Sequence, residues 1–323
     1  MNVPQPVQAP LTKSATFLVL TITDPSSPSS LKTIRSALAS IEDLSKNVSI
    51  RDLNSNFSCT VGIGSTAWDL LVPSSSNLPK PAELHPFRPV HGQRHSAPAT
   101  PGDLLFHIRS DRRDICFEFE SQLLRLLGGG DGHAVTVQDD TQGFRYFDAR
   151  DLLGFVDGTA NPAASALPEA VLIAQGDDHE ACVGGSYVVV QKYVHDMPSW
   201  RALSTSDQEA IIGRTKADNI ELDDQPPGKQ QPHKTLTTIE DEHGNEHGIM
   251  RDNMPFGSPA SGVFGTYFIG YSRRLWVVEK MLERMFVGDP PGKHDRILDF
   301  SRALTGSTFY VPPNWVLGKL DED

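Results

Sequence analysis

One local pattern occurs twice in this chain: a strand, a serine with a pair of arginines, a helix and a glycine stop, at 103–128 and again at 266–288. The first copy is embedded in strands read at 16–23 and 58–64, a helix at 31–44, a strand at 103–110, a helix at 113–127 ending at Gly128–Gly130, and a strand at 134–140. The second follows the same plan, with strands at 185–194 and 265–272, a helix at 198–212 and another at 275–287 ending at Gly288. Between them, 233–240 and 248–253 read as strands around the turn Glu242-His-Gly-Asn-Glu-His-Gly248. Two β-α-β-β-α-β copies restrict the chain to an α+β fold of duplicated ferredoxin-like units, 12–150 and 151–316, meeting near 145–155. The alternative is an α/β fold in which short β-α repeats recur by chance. The Pro-rich first ten residues read as a loose arm, and 72–102 as a long surface loop.

Charge narrows the function. Lys plus Arg is 29 and Asp plus Glu 41, a formal charge of −12. Such a chain would bind polyanions against its own field, which excludes nucleic acid as a partner. Cys59, Cys116 and Cys182 are far apart, with no CxxC pair and no CxxCH haem attachment. An odd, sparse cysteine count suits a reducing compartment. The N-terminus has no basic region, its apolar run Phe17–Leu20 is short, and no segment approaches membrane-spanning length, so the expectation is a cytoplasmic protein off the membrane.

Two stretches could carry chemistry. In Phe147–Pro162, Gly154 and Gly158 bracket Asp157, and apolar neighbours would raise its pKa and make it an acid/base. The competing reading is an Asp-Gly turn. In Ile212–Gly257, His233 precedes a strand read at 235–239 and could project a ring nitrogen towards a cofactor, while Arg251 could place a fixed charge in a pocket or form a surface salt bridge. His243 and His247 are four apart, a zinc spacing on a helix, but Gly244–Asn245 breaks any helix there and a solvated hairpin is the better reading.

Five stretches resemble the dye-decolourising peroxidases, most strongly over 100–315: YFDARDLLGFVDGTANP, GGSYVVVQKYVHD, IIGRTK, RDNMPFG and HDRILDFSRALTGSTFYVPP. GFVDG matches that family's signature, and the class B branch is the most similar. The resemblance implies units of the dimeric α/β-barrel type, with non-covalent haem b in the C-terminal half. It places the axial histidine on His233 and the carboxylate orienting it on Asp295, with Asp299 as fallback. Asp157 and Arg251 become the distal pair and Asn253 a distal asparagine. Arg214 is assigned to a haem propionate, and Gly158 and Thr159 to the cofactor's surroundings. Ala160 stands where relatives usually carry Glu, which removes a carboxylate near the haem edge.

The activity implied is reduction of hydrogen peroxide through a high-valent iron state that oxidises dyes, phenols or a metal ion. Trp68, Trp200, Trp276 and Trp315 could relay electrons, though packing explains each as well. The resemblance also implies a homo-oligomer. The end LGKLDED reads as lacking a docking extension for an encapsulating shell. The rival functions are a haem or iron carrier on the same scaffold and a chlorite-dismutase-like enzyme, which has no need of the GFVDG aspartate.

Overall fold

A computed structural model describes residues 3–73, 76, 78–128 and 134–322. The first half runs β1 (Ser14–Ile22), α1 (Pro28–Ala39), α2 (Ile41–Ser49), β2 (Ser58–Gly64), α3 (Ser65–Leu71), a ribbon of β3 (Val90–His91) and β4 (Ser96–Ala97), β5 (Leu104–Ser110), α4 (Arg113–Leu126) and β6 (Val135–Phe144). The second half opens with α5 (Leu167–Val171), β7 (Ser186–His195), α6 (Met197–Ala202), α7 (Thr205–Ile212) and α8 (His233–Leu236). A hairpin of β8 (Ile239–Glu240) and β9 (Glu246–His247) follows. The chain then forms β10 (Met250–Arg251), β11 (Met254–Ser258), β12 (Val263–Ser272), α9 (Leu275–Phe286), β13 (Ser301–Ala303), β14 (Ser307–Val311) and α10 (Asn314–Lys319).

The main strands pair antiparallel in the order β10-β12-β7-β14-β2-β5-β1-β6, with β11 also on β12 and β13 on β7. Each half uses its own four strands in the same sequence, second-third-first-fourth: β2-β5-β1-β6 and β10-β12-β7-β14. That is the ferredoxin-like order twice, joined where β14 meets β2 through Phe309 opposite Gly64. The sheet curls until its ends face each other. A Cβ on Gly143 of β6 would lie 2.5 Å from Met254 Cβ on β11, so only glycine allows that approach. Inside the curl, Phe17 of β1 stacks on Tyr267 of β12 with ring centroids 4.1 Å apart.

The strands alternate faces, so Leu18, Leu20 and Phe106 point outwards to a core shared with α1, α2 and α4, while Phe17, Val19 and Leu105 point inwards. Burying such a side chain is worth roughly 1.5–3 kcal/mol, and this two-faced core is what fixes the register.

Several expectations are corrected. The helix read at 31–44 is two helices that break at Ser40. The one read at 198–212 breaks before Ser204, whose Oγ accepts from Asp207 N and starts α7. Residues 233–240 are not a strand: Pro232 starts a single helical turn at His233, and only Ile239–Glu240 pairs. The N-terminal arm is fixed, because Gln5 bridges Val61 and the Pro312 carbonyl from a buried position. The loop at 72–102 contains the β3–β4 ribbon. Of the glycine stop after α4, Gly128 has φ +86°, while Gly129 and Gly130 lie outside the described residues.

Candidate active site

The Phe147–Pro162 loop is built around Asp151. Its Oδ1 accepts the N–H groups of Gly154 (2.8 Å) and Phe155 (2.9 Å), and Gly154, at φ +98°, makes the tight return possible. Arg150 pins the loop from outside by donating to the carbonyls of Gly154 and Ala217, and the Trp200 indole N–H closes it by donating to the Leu153 carbonyl (2.9 Å). Asp157 follows on this rigid base. Its Oδ1 accepts from Gly158 N at 2.7 Å and from Asn253 Nδ2 at 3.4 Å. Burial pushes the Asp151 carboxyl up to about 7, and the nearby Asp157 charge adds to the rise.

The second wall comes from an interruption in the sheet. β10 stops at Arg251 and β11 starts at Met254. Between them Asn253 Oδ1 accepts the Ile269 N–H (3.1 Å), so a side chain does what a strand carbonyl would otherwise do. Arg251 faces the cavity. Its backbone N–H and carbonyl are both bonded to the Asn161 carboxamide. Among the described residues no carboxylate lies within ion-pair distance of its guanidinium, which meets Met281 Sδ at 3.9 Å. Burial lowers the Arg251 pKa, and the Asp157 charge works against that. Asp252, between them, turns the other way. It pairs with Arg109 of β5 at 3.1 Å, and both side chains are almost wholly buried. Arg109 also donates to Thr60 and to the Pro6 carbonyl.

The third wall holds His233. Its Nδ1 lies 2.6 Å from Asp295 Oδ2, on a carboxylate with no solvent exposure whose other oxygen caps the turn at Ile297. Thus Nδ1–H donates, and Nε2 is left with its lone pair and no hydrogen-bond partner among the described residues. His195 shares the cavity but differs. Ser301 and Thr266 engage both of its nitrogens, and burial pushes its pKa down to about 4, so it stays neutral and occupied.

Asp157, Arg251, Asn253 and His233 line one cavity, whose apolar walls include Phe155, Val156, Phe268, Met281, Leu282 and Met285. A flat apolar group with a metal at its centre suits this lining: greasy sides, one imidazole with a free nitrogen, and an unpaired cation for an anionic ligand. The residues therefore fit haem.

Not every expected residue arrives. Arg214 turns to Glu221 Oε2 (2.6 Å) and the Asn219 carbonyl (3.1 Å) and is absent from the cavity wall. Thr159 is exposed and accepts from Asn219 Nδ2, and Gly158 borders only an adjoining recess beside Asp157 and Arg251. Asp299 bonds two other histidines, not His233. The His243–His247 stretch is a hairpin turn capped by Asp241. Trp68 and Trp200 are core residues, whereas Trp276 is partly exposed at the start of α9. Sequence reasoning does not single out Asp151 or Asn161. The signals were there, an aspartate three residues before Gly154 and an asparagine before a proline, but both read equally well as ordinary turn residues.

The model of the "Dyp-type peroxidase, N-terminal" family matches residues 4–145, and that of the "Dyp-type peroxidase, C-terminal" family matches 148–315. A dye-decolorizing peroxidase of Mycobacterium tuberculosis is 50% identical over 309 residues, covering 96% of this chain and 88% of that protein. DyPB from Rhodococcus jostii RHA1 superposes with a TM-score of 0.90 at 50% identity, covering 98% of this chain and 97% of that one, and variants of it are described in complex with heme. An encapsulated DyP-type peroxidase from Mycobacterium smegmatis gives a TM-score of 0.90 at 50% identity, covering 100% and 98%. The chain belongs to the Dyp-type peroxidase family and is a haem-dependent peroxidase of class B-like structure. Carrier and chlorite-dismutase readings are not favoured. No helix among the described residues is long and apolar enough to cross a membrane.

Proposed function

We propose that His233 holds the haem iron through Nε2 in the second of two units (12–150 and 151–316), and that Asp157, Arg251 and Asn253 act on hydrogen peroxide in the same cavity. The observation that carries this reading is the His233 ring itself, with one nitrogen bonded to the buried Asp295 and the other bare towards the cavity. When bound, haem supplies the redox iron that is oxidised by peroxide and re-reduced one electron at a time by a donor.

The chain's own residues do the rest. Asp295 fixes the tautomer of His233 and raises its basicity through the Nδ1–H bond. Asp157 takes a proton from one peroxide oxygen and returns it to the other, help worth roughly 10²–10⁴-fold. Arg251 presents a fixed positive charge where negative charge develops, worth roughly 10²–10³-fold. Asn253 donates to Asp157 and keeps the carboxylate aimed into the cavity.

The donors we propose are phenols, dyes and other small organic reductants, with a metal ion as the second class. A manganese complex is described for an R. jostii DypB variant. Here Ala160 contributes no carboxylate, which favours the organic class. We read the protein as cytoplasmic, since its three cysteines are buried and free, as in a reducing compartment, and as a homo-oligomer on the family resemblance alone. The M. smegmatis relative makes an encapsulating shell the assembly to test first.

The test is spectroscopic. Wild-type protein given hemin shows an intense Soret band, and acid-acetone extracts the pigment. His233→Ala keeps its fold and loses most of the haem. A normal haem spectrum in that variant overturns the assignment.

A further inference from the structure

Immediately before Asp295 in the chain stands His294, and the short turn Arg296–Asp299, which the Asp295 carboxylate caps, ends at Asp299. His95, from the turn between β3 and β4, meets both of them. Nε2 of His95 and Nε2 of His294 each lie 2.9 Å from the same oxygen, Asp299 Oδ1. The two rings are edge-to-face at 4.9 Å, and the three ligating atoms lie within 4.8 Å of one another. We infer that His95, His294 and Asp299 form a binding site for one first-row divalent cation of the zinc class, stapling the N-terminal half of the chain to the turn that carries Asp295.

Hydrogen bonding to Asp299 uses only part of the ligating capacity of this cluster. Two imidazoles crowd a single carboxylate oxygen, while Asp299 Oδ2 and both Nδ1 atoms have no hydrogen-bond partner among the described residues. Two neutral imidazoles and a carboxylate are instead a donor set that zinc and its neighbours take readily. A tetrahedral ion with bonds of roughly 2.0–2.1 Å spaces its ligand atoms by about 3.4 Å. The two Nε2–Oδ1 spacings of 2.9 Å open by about half an ångström to reach this, and the remaining pair already lies within 4.8 Å. The side chains of His95, His294 and Asp299 are 28%, 12% and 29% exposed, so the ion has an entry path and a water can complete its shell.

The ligands are also preorganised. The His95 carbonyl accepts from Gly92 N, and a Cβ on Gly92 would lie 1.9 Å from the Phe286 carbonyl oxygen, so this turn sits directly on the end of α9. The His294 carbonyl accepts from Gln230 Nε2, and Asp295 N donates to the Met285 carbonyl. Both halves of the site are mounted on the last turn of one helix. Any influence on the haem passes through Asp295 and rests on the assignment of His233 above, whereas the cation site itself does not.

The test uses holoenzyme stripped of loose metal by a chelator and dialysed against micromolar zinc chloride, with bound zinc counted by atomic emission. We expect one zinc per chain in the wild type. His95→Ala and Asp299→Asn should each weaken binding by roughly 10–100-fold or more, since even an outer-shell partner is worth that much. Zinc should also raise the Tm of the wild type and not of His95→Ala, while a His243→Ala/His247→Ala hairpin variant binds as the wild type does. Absence of stoichiometric zinc, equal binding by His95→Ala, or loss only in the hairpin variant each overturns the proposal. The zinc count is independent of the Soret band, so a failed haem assignment leaves it readable.

Discussion

The carboxamide of Asn161 closes two hydrogen bonds on the backbone of Arg251, Oδ1 accepting its N–H and Nδ2 donating to its carbonyl, both at 2.8 Å. It does for Arg251 what a neighbouring strand would do, at the point where β10 ends. Asn161→Ala leaves both backbone groups without that partner, at roughly 1–3 kcal/mol for each that stays buried and unpaired. The guanidinium then loses its fixed aim, and peroxide-driven oxidation of the haem slows about tenfold while haem content is kept, the equivalent of about 1.4 kcal/mol. Stopped-flow mixing of ferric enzyme with peroxide measures this. An unchanged rate would mean that the β10–β12 pairing alone aims Arg251.

The two distal side chains rank unequally. Asp157 is partly open to solvent, and water can take over some of its proton transfer. The unpaired Arg251 charge has no substitute. Arg251→Leu therefore slows the same step more than Asp157→Ala does. The reverse order in stopped-flow traces would make acid/base transfer the dominant contribution, and no slowing in either variant would remove both residues from the reaction.

Asp295 tunes rather than holds. In Asp295→Asn an amide oxygen can still accept from Nδ1–H, so haem stays bound, but the negative charge that makes His233 a stronger donor is gone. The ferric form loses more than the ferrous form, and the midpoint potential rises. Spectroelectrochemistry reads this directly, and a potential equal to or below that of the wild type contradicts it.

A pH signature comes from Asp151. Its folded-state pKa is raised from the ordinary carboxylate range to about 7, mainly by burial. A raised carboxyl binds a proton in the folded state that the unfolded chain has released. Its contribution is therefore fully present below roughly pH 4 and is lost as the pH rises through about 7. Urea midpoints of haem-free wild type should fall between roughly pH 4 and 7 more steeply than those of Asp151→Asn. Parallel curves would show that the Gly154 and Phe155 N–H groups hold Asp151 ionised throughout.

Periodicity revealed the ladder because each main strand buries one or both faces locally. The spans around Phe17, Phe106 and Val188 needed no knowledge of their partners. The GFVDG loop was legible for a similar reason: glycines bracketing an aspartate signal a close approach whatever it faces. What escaped depends on distant partners. Asn161 is 90 positions from Arg251, and nothing local distinguishes it from any asparagine preceding a proline. The His233 turn reads as a strand because Thr235–Ile239 is β-prone, whereas Pro232 and the side-chain bonds of Thr237 and Thr238 decide the local conformation. Arg214 matched a motif, yet the nearby Glu221 claims its guanidinium.

The buried pair Arg109–Asp252 has a consequence for the duplication itself. Arg109 belongs to the first copy, and Asp252 lies between Arg251 and Asn253 in the second. Removing one member of such a pair costs roughly 3–5 kcal/mol, because the other charge is left stranded in the interior. A fragment beginning at the second copy would carry every residue assigned to the reaction, yet it would lose both the Arg109 partner of Asp252 and the Phe17 ring that stacks on Tyr267. The first copy is the buttress of its twin: two units alike in strand order are not two units able to stand apart.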